Sequence, residues 1–430
     1  MKTFNSLFKS PGLRKSFFNT IGNGLATSLS ALSLIIISRI LGPNLFGEFS
    51  VGFSLLMIFS RLTDVGLSTS IIKLVGQTHE HKKINTYFSL TSKYRLISTL
   101  IFTCLGLIVS SFLNKFLKLT NPSIILITFT LGLSIVLYEQ IVTMILALHR
   151  IKQAIMVNAI QASTKLIAAI VFFLSQTTSV NIIFALYAFA PSIPVIFTKK
   201  IFPSWVKINL RIKSQQAKKQ IIRIISHSYI NALSLSLTEN ISIIFVQGFL
   251  SSYEAGLLGG ASKIAMLFGL ISVSIAQVLF ARVAKYKSSY HLSKYLKKAI
   301  VLSIVSLFAF IAFIPFAKLS IILTIGKEYL SGTPILLILV AAAFILIATV
   351  PFTALFFSYE ANWYFSSMGI LRLVITLVGN IVFVPIHGLK AAALTQVVSR
   401  SAVLIMSIIL GLMLYQKKIR NLNSIVLNSK

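Results

Sequence analysis

The sequence predicts an all-α, polytopic membrane protein with about twelve transmembrane helices in two six-helix bundles. Three observations carry that expectation. Of 430 residues, 56% are hydrophobic and only 11% charged, with a mean hydropathy of +0.90, whereas soluble domains carry about 25% charged residues. Residues 16–38, 96–114, 166–198, 299–317 and 329–359 contain no Asp, Glu, Lys or Arg. The forty basic residues collect between the apolar runs, mostly on alternate sides. A helix needs about 20 apolar residues to cross the hydrocarbon core, so the two longest runs read as helical hairpins, turned at "SQTTS" after Leu174 and near Pro351. Barrel staves are excluded because they alternate every second residue, and these runs are uniformly apolar.

Taken in order, the first span (17–38) ends at "RILGPNLFGEF". Pro43 stops the helix and Gly42 permits a sharp reversal, while Arg39 can snorkel to headgroups. On the second span (46–68), Gly47 and Gly52 allow close helix approach. Spans 95–114 and 122–147 follow, joined through Lys115 and Lys118, and then 155–175 and 180–198. The stretch 199–223 carries eight cations. Six more spans are expected at 224–249, 255–281, 297–317, 333–357, 365–386 and 391–415. The domains are therefore 1–198, a basic linker 199–223, 224–415, and a basic tail 416–430.

A weak internal repeat supports two halves. A shift of 209 lays Gly47 on Gly256, Leu41 on Leu250 and Pro43 on Ser252, and puts the first span on the seventh. Six spans, a linker and six more in the same orientation describe a parallel repeat, whose interface is a common substrate path.

Charge orients the chain. Twenty-nine of the forty cations lie in the N-tail, 73–95, 150–152, 199–223, 282–298 and the C-tail; the opposite loops hold six. The positive-inside bias makes both termini cytoplasmic, in a cell inner (cytoplasmic) membrane. A net charge of +32 on a soluble chain would suggest nucleic acid, but no basic stretch carries interleaved aromatics or a binding-fold motif, so that class is excluded. The first span is too long for a cleavable signal and is followed directly by more membrane. Cys104 is the lone cysteine and "HEH" at 79–81 has no third partner nearby, so neither a disulfide, a metal nor any other cofactor is expected.

Ionisable groups within lipid are costly unless they face a partner or water. Eight candidates stand out: Arg61, Asp64, Glu139, Lys165, Glu239, Lys263, Arg372 and Arg400. Arg61 and Asp64, three apart, share a helix face and can pair. Lys165, Lys263 and Arg372 have no opposite charge within helical reach on their own spans. Arg400 belongs either to them or to the packing. Polar stripes recur at helical spacing in the first span (Asn19, Asn23, Thr27, Ser30) and the seventh (His227, Asn231, Ser234, Thr238). They serve interhelical hydrogen bonding or line a wet cavity.

The opening "SRILGPNLFGEFSVGFSLLMIFSRLTDVGL" resembles that of the polysaccharide-transporter family, the Wzx-type O-antigen and oligosaccharide flippases. Leu41, Gly42, Pro43, Phe46, Gly47, Asp64, Gly66 and Leu67 carry the match, and Pro385, Gly388, Ala391 and Ala392 match a later family motif displaced by one position. The resemblance covers essentially the whole chain and implies the fold of MATE exporters and the lipid II flippase. It implies export of undecaprenyl-diphosphate-linked oligosaccharide units by alternating access, among membrane lipids and with a polysaccharide polymerase as a partner. On that expectation, Lys165, Lys263, Arg372 and Arg400 hold the diphosphate, and Asn19, Asn23, Asn231 and Thr238 contact sugars. The membrane potential could drive the step unaided; as a secondary reading Glu139, Asp64 or Glu239 exchanges an ion, and for Glu139 the alternative is a counter-charge to a neighbouring helix. A MATE-type drug exporter would want a net negative cavity, against five positive and three negative groups here. A membrane polymerase or ligase would need a sizeable outer loop, and 318–332 offers only Lys318, Lys327 and Glu328, with no acid–base pair or nucleophile; no enzyme is expected.

Overall fold

The computed structural model describes residues 11–197, 201–283, 289–358 and 363–428; within these, the side chains of 11–21, 226–228 and 357–358, and most of those at 277–296 and 412–428, lie outside the description. Among the described residues the regular structure is entirely helical. Ten helices among the described residues are long and apolar enough to span a membrane. The first, α1 (Pro11–Asp64), is two helices merged across a break at Gly42, where φ is 65° and ψ 174°. Glycine takes that left-handed φ without a Cβ clash, and Pro43 opens the second limb, where a missing N–H costs nothing.

After α1 come α2 (Leu67–Gly76), α3 (His81–Leu117), α4 (Ser123–Ala147), α5 (Ile151–Leu174), α6 (Val180–Phe189) and α7 (Ser192–Ile196). Then follow α8 (Gln215–Ile224), α9 (Ser226–Phe249), α10 (Ser252–Val283), α11 (Ser289–Phe313) and the short α12 (Ala317–Leu323). The chain ends with α13 (Thr333–Ser358), α14 (Trp363–His387) and α15 (Leu389–Asn428). Of the two longest uncharged runs, 166–198 is a hairpin turned after Leu174, as expected. The other is not: α13 continues through Pro351, and the run begins in a 3-10 turn at 327–332. A proline is tolerated inside a membrane helix, and Tyr295 packs beside this one, donating its hydroxyl to the Pro351 carbonyl at 2.7 Å.

The chain forms two compact units, Met1–Gly260 and Ala261–Lys430, so the division falls inside α10. In the first unit α1 packs against α4, α5, α6 and α9. The basic stretch lies on this unit: Ala217 and Ile221 of α8 are buried with Ile71 of α2, Phe88 of α3 and Met144 of α4. Tyr87 donates to Gln220 at 2.7 Å and Trp205 stacks on His81 at 3.9 Å. In the second unit α13 and α14 pack on α15 around Phe356, Met368 and Val403.

The outside carries many large apolar side chains. Ile108 and Leu174 are each 76% exposed, with Phe112, Ile167, Phe308 and Ile386 similarly open. Exposed apolar area on that scale needs a non-aqueous surrounding, and the chain is a multi-pass membrane protein.

Candidate functional site

Within the first unit, charge concentrates where the second limb of α1 meets α2, α3 and α4. Arg95 on α3 is 1% exposed and is the largest fully buried side chain among the described residues. Its guanidinium reaches Asp64 at 3.0 Å and Glu139 at 2.8 Å, and also donates to Ser68 at 3.1 Å. Glu139 takes a second cation, Arg61, at 3.4 Å and a hydroxyl donor, Ser60, at 2.6 Å. Asp64 accepts from the Ser68 backbone N–H and hydroxyl, tying the end of α1 to the start of α2. Two cations thus face two carboxylates in one cluster, the condition under which buried ions are tolerated. The expected Arg61–Asp64 pair does not form; each turns to a different helix, because Arg95 stands between the two acids with two donor edges. Sequence reading missed Arg95 by counting it with the cytoplasmic loop. A signal was present in Ser92, Arg95, Ser98 and Thr99, a polar face at spacings of three and four, opposite two carboxylates in need of a cation.

Lys165 on α5 is different in kind. It is 6% exposed, and among the described residues it has no carboxylate within 4.0 Å. Its ammonium lies 4.2 Å from the centroid of the Tyr187 ring, and Phe49 and Phe53 meet that ring edge-on at 5.4 and 5.9 Å. The ring face attracts a desolvated cation by about 2 kcal/mol, which offsets part of the burial cost and leaves its charge uncompensated.

Of the polar stripes, Asn19 and His227 lie outside the described side chains. Asn23 accepts from Asn158 at 2.7 Å, and Asn158 accepts from Tyr138 at 2.7 Å, a chain linking α1, α5 and α4. Asn231 is half-buried, Thr238 is buried and donates to the Ser234 carbonyl, and Glu239 is exposed on α9. In the second unit Lys263 is buried, and Arg372 and Arg400 are half-buried, each engaged in interactions.

The motif-bearing glycines sit in a reciprocal crossing inside the first unit. A Cβ on Gly47 would overlap the Ser252 carbonyl, and a Cβ on Gly256 would overlap the Pro43 carbonyl. Pro43 and Ser252, like Gly47 and Gly256, are equivalent under the shift of 209. Each glycine therefore meets the counterpart of the residue that its own equivalent meets, the contact pattern of a two-fold crossing. Beside it, the buried carboxylate Glu48 accepts from the Thr120 backbone N–H at 2.7 Å, the Thr120 hydroxyl, and Asn121 at 2.8 Å. Sequence reading did not single out Glu48, though it lies within the second span.

A family model described as "Polysaccharide biosynthesis protein" matches residues 13–282. No curated protein matches the chain by sequence. Among solved structures, an inward-facing multidrug resistance MATE family transporter of the MOP superfamily aligns with a TM-score of 0.71 at 15% identity, over 92% of this chain and 96% of that one. The lipid II flippase MurJ in an inward closed conformation aligns with a TM-score of 0.72 at 13% identity, over 96% and 93%. A MOP superfamily transporter from Pyrococcus furiosus aligns with a TM-score of 0.57 at 16% identity, over 95% and 96%. At these identities the likeness is one of fold.

Proposed function

Because the chain belongs to the polysaccharide biosynthesis protein family, we propose that it is a flippase for undecaprenyl-diphosphate-linked oligosaccharide repeat units. It moves them from the cytoplasmic to the outer leaflet of the cell inner membrane by alternating access between two six-helix repeats, supplying O-antigen or capsule synthesis. Both termini are cytoplasmic. The observation that supports this reading is Lys165: a buried lysine with no carboxylate within 4.0 Å among the described residues offers its charge to an anionic ligand. Lys263, Arg372 and Arg400 add cationic groups for the diphosphate, and Asn19, Asn23, Asn231 and Thr238 offer polar contacts to sugars. A polysaccharide polymerase receives the product.

The second reading, a cation-coupled exporter of the MATE type, is favoured by the fold likeness. Against it, Asp64 and Glu139 are both engaged by arginines, so a cationic drug would have to displace Arg95 or Arg61 to reach them. Ion exchange at Glu139, Asp64 or Glu239 is a secondary hypothesis within the flippase reading. Deleting the gene tests the choice. Lipid-linked repeat units should accumulate on the inner leaflet while surface glycan vanishes. Normal surface glycan, in a strain with no second transporter of this kind, would defeat the proposal.

A further inference from the structure

Beside the Gly47–Ser252 and Gly256–Pro43 crossing lies a cavity of about 470 Å³, lined by Asn44, Glu48, Lys118, Thr120, Gln247 and Ser251 with their neighbours. We propose that it is a binding site for a neutral, polyhydroxylated ligand, a free sugar or the glycan part of a larger molecule. It stands on its own donors and acceptors, independently of the flippase reading.

Its floor is buried and rich in acceptors. Glu48 is 1% exposed and Gln247 2% exposed. A carboxylate offers about four lone-pair positions, and three donors engage Glu48: the Thr120 backbone N–H, the Thr120 hydroxyl and the Asn121 amide. Gln247 spends its amide hydrogens on the Leu117 carbonyl at 3.0 Å and Ser252 at 2.8 Å, while its carbonyl oxygen has no partner among the described residues. Buried acceptors of this kind are nearly always satisfied, and this one belongs to a cavity-lining residue.

The rim supplies the opposite polarity. Lys118 and Asn44 are exposed and line the same cavity. Lys118 has no carboxylate within 4.0 Å among the described residues. Leu45 and Leu250 add apolar wall. A ligand that satisfies this lining draws the buried Gln247 carbonyl and Glu48 carboxylate into the cavity and donates to them, accepts from Lys118, and presents C–H faces to the leucines. Vicinal hydroxyls on a carbon ring have that chemistry. A bare metal cation fits poorly, because the cavity is many times an ion's size and an ammonium stands at its mouth.

Saturation-transfer NMR on the full chain in lipid nanodiscs tests the assignment, using glucose, galactose, mannose and N-acetylglucosamine separately as probes. At least one should bind, with a Kd on the order of millimolar, and Gln247→Leu and Lys118→Asn should each weaken it by at least about tenfold. Lys118 has a left-handed φ of 47° that asparagine tolerates, so that variant keeps the fold even if Gln247→Leu does not. No transfer to any of the four sugars, or equal transfer in Lys118→Asn and the parent, overturns the proposal. So does displacement of the sugar by millimolar NaCl, which would mark a cation site. None of these readouts involves translocation, so a failed sugar site leaves the flippase reading standing, and a failed flippase reading leaves this site intact.

Discussion

Arg95 shows how a decisive residue can hide in plain sequence. Sequence reading starts the third span at position 95 and so counts the arginine with the cytoplasmic cations. The helix starts at His81, which puts Arg95 about 21 Å along it at 1.5 Å per residue, among Asp64 and Glu139. Removing one partner of a buried charge cluster costs about 3–5 kcal/mol, whereas replacing all partners with neutral groups of similar shape is often neutral. Arg95→Met should therefore destabilise the protein by about that much in thermal or denaturant unfolding, and adding Asp64→Asn with Glu139→Gln should recover most of it. An unchanged midpoint in Arg95→Met would show that the cluster contributes nothing to stability. Lys165 reverses the sign. Its charge is buried without a carboxylate, so Lys165→Met should unfold at the same or a higher temperature while surface glycan is lost, the trade expected where a site is kept at a stability cost. The sequence identified Lys165 as a cation without a partner on its own span. The Tyr187 ring beneath it was not legible, because it comes from a different helix at no fixed spacing.

Helices, their order and the break at Gly42–Pro43 were readable because hydropathy and turn chemistry are local. The two long uncharged runs separate what such signals can do. "SQTTS" ends α5 with several polar residues and does turn the chain. Pro351 alone does not, since a single proline removes one N–H from a membrane helix without obliging it to end, and α13 runs on through it. The basic stretch 199–223 reads as a linker by charge, yet Ala217 and Ile221 lie on one face of α8 and are buried, a spacing of four that the surrounding lysines obscure. The crossing at Gly47 and Gly256 was foreshadowed by the shift of 209, although no identity count would have revealed contact. Its test is geometric. Gly47→Ala and Gly256→Ala each drive a methyl group into a backbone carbonyl, which cannot rotate away as a side chain can. Each should cost about 1–3 kcal/mol or more and cut folded yield in the membrane. Gly24→Ala meets nothing within 4 Å and should be neutral or stabilising by about 0.5–1 kcal/mol. Equal yields for all three would remove the crossing as a fixed contact.

For the whole chain, composition settles the membrane and the family match supplies the polysaccharide context; on the proposed flippase reading, what drives the cargo is a matter of charge balance. A diphosphate crossing outward with about two negative charges is favoured by about 4–5 kcal/mol per 100 mV of inside-negative potential, at about 2.3 kcal/mol per charge. No carboxylate has to titrate for that step, which accords with Asp64 and Glu139 being occupied by arginines. In proteoliposomes with a potential set by valinomycin and a potassium gradient, a labelled lipid-diphosphate oligosaccharide should collect on the positive side. Reversing the gradient should reverse the direction, and a pH or sodium gradient imposed at zero potential should leave the distribution even. A cation-coupled exporter behaves the opposite way. Ion gradients then drive net movement at zero potential, and Glu139→Gln abolishes it. Lys165→Met distinguishes the two readings again: if Lys165 binds the diphosphate as proposed, its loss stops the potential-driven flux, whereas ion-driven export of a cationic drug stays intact.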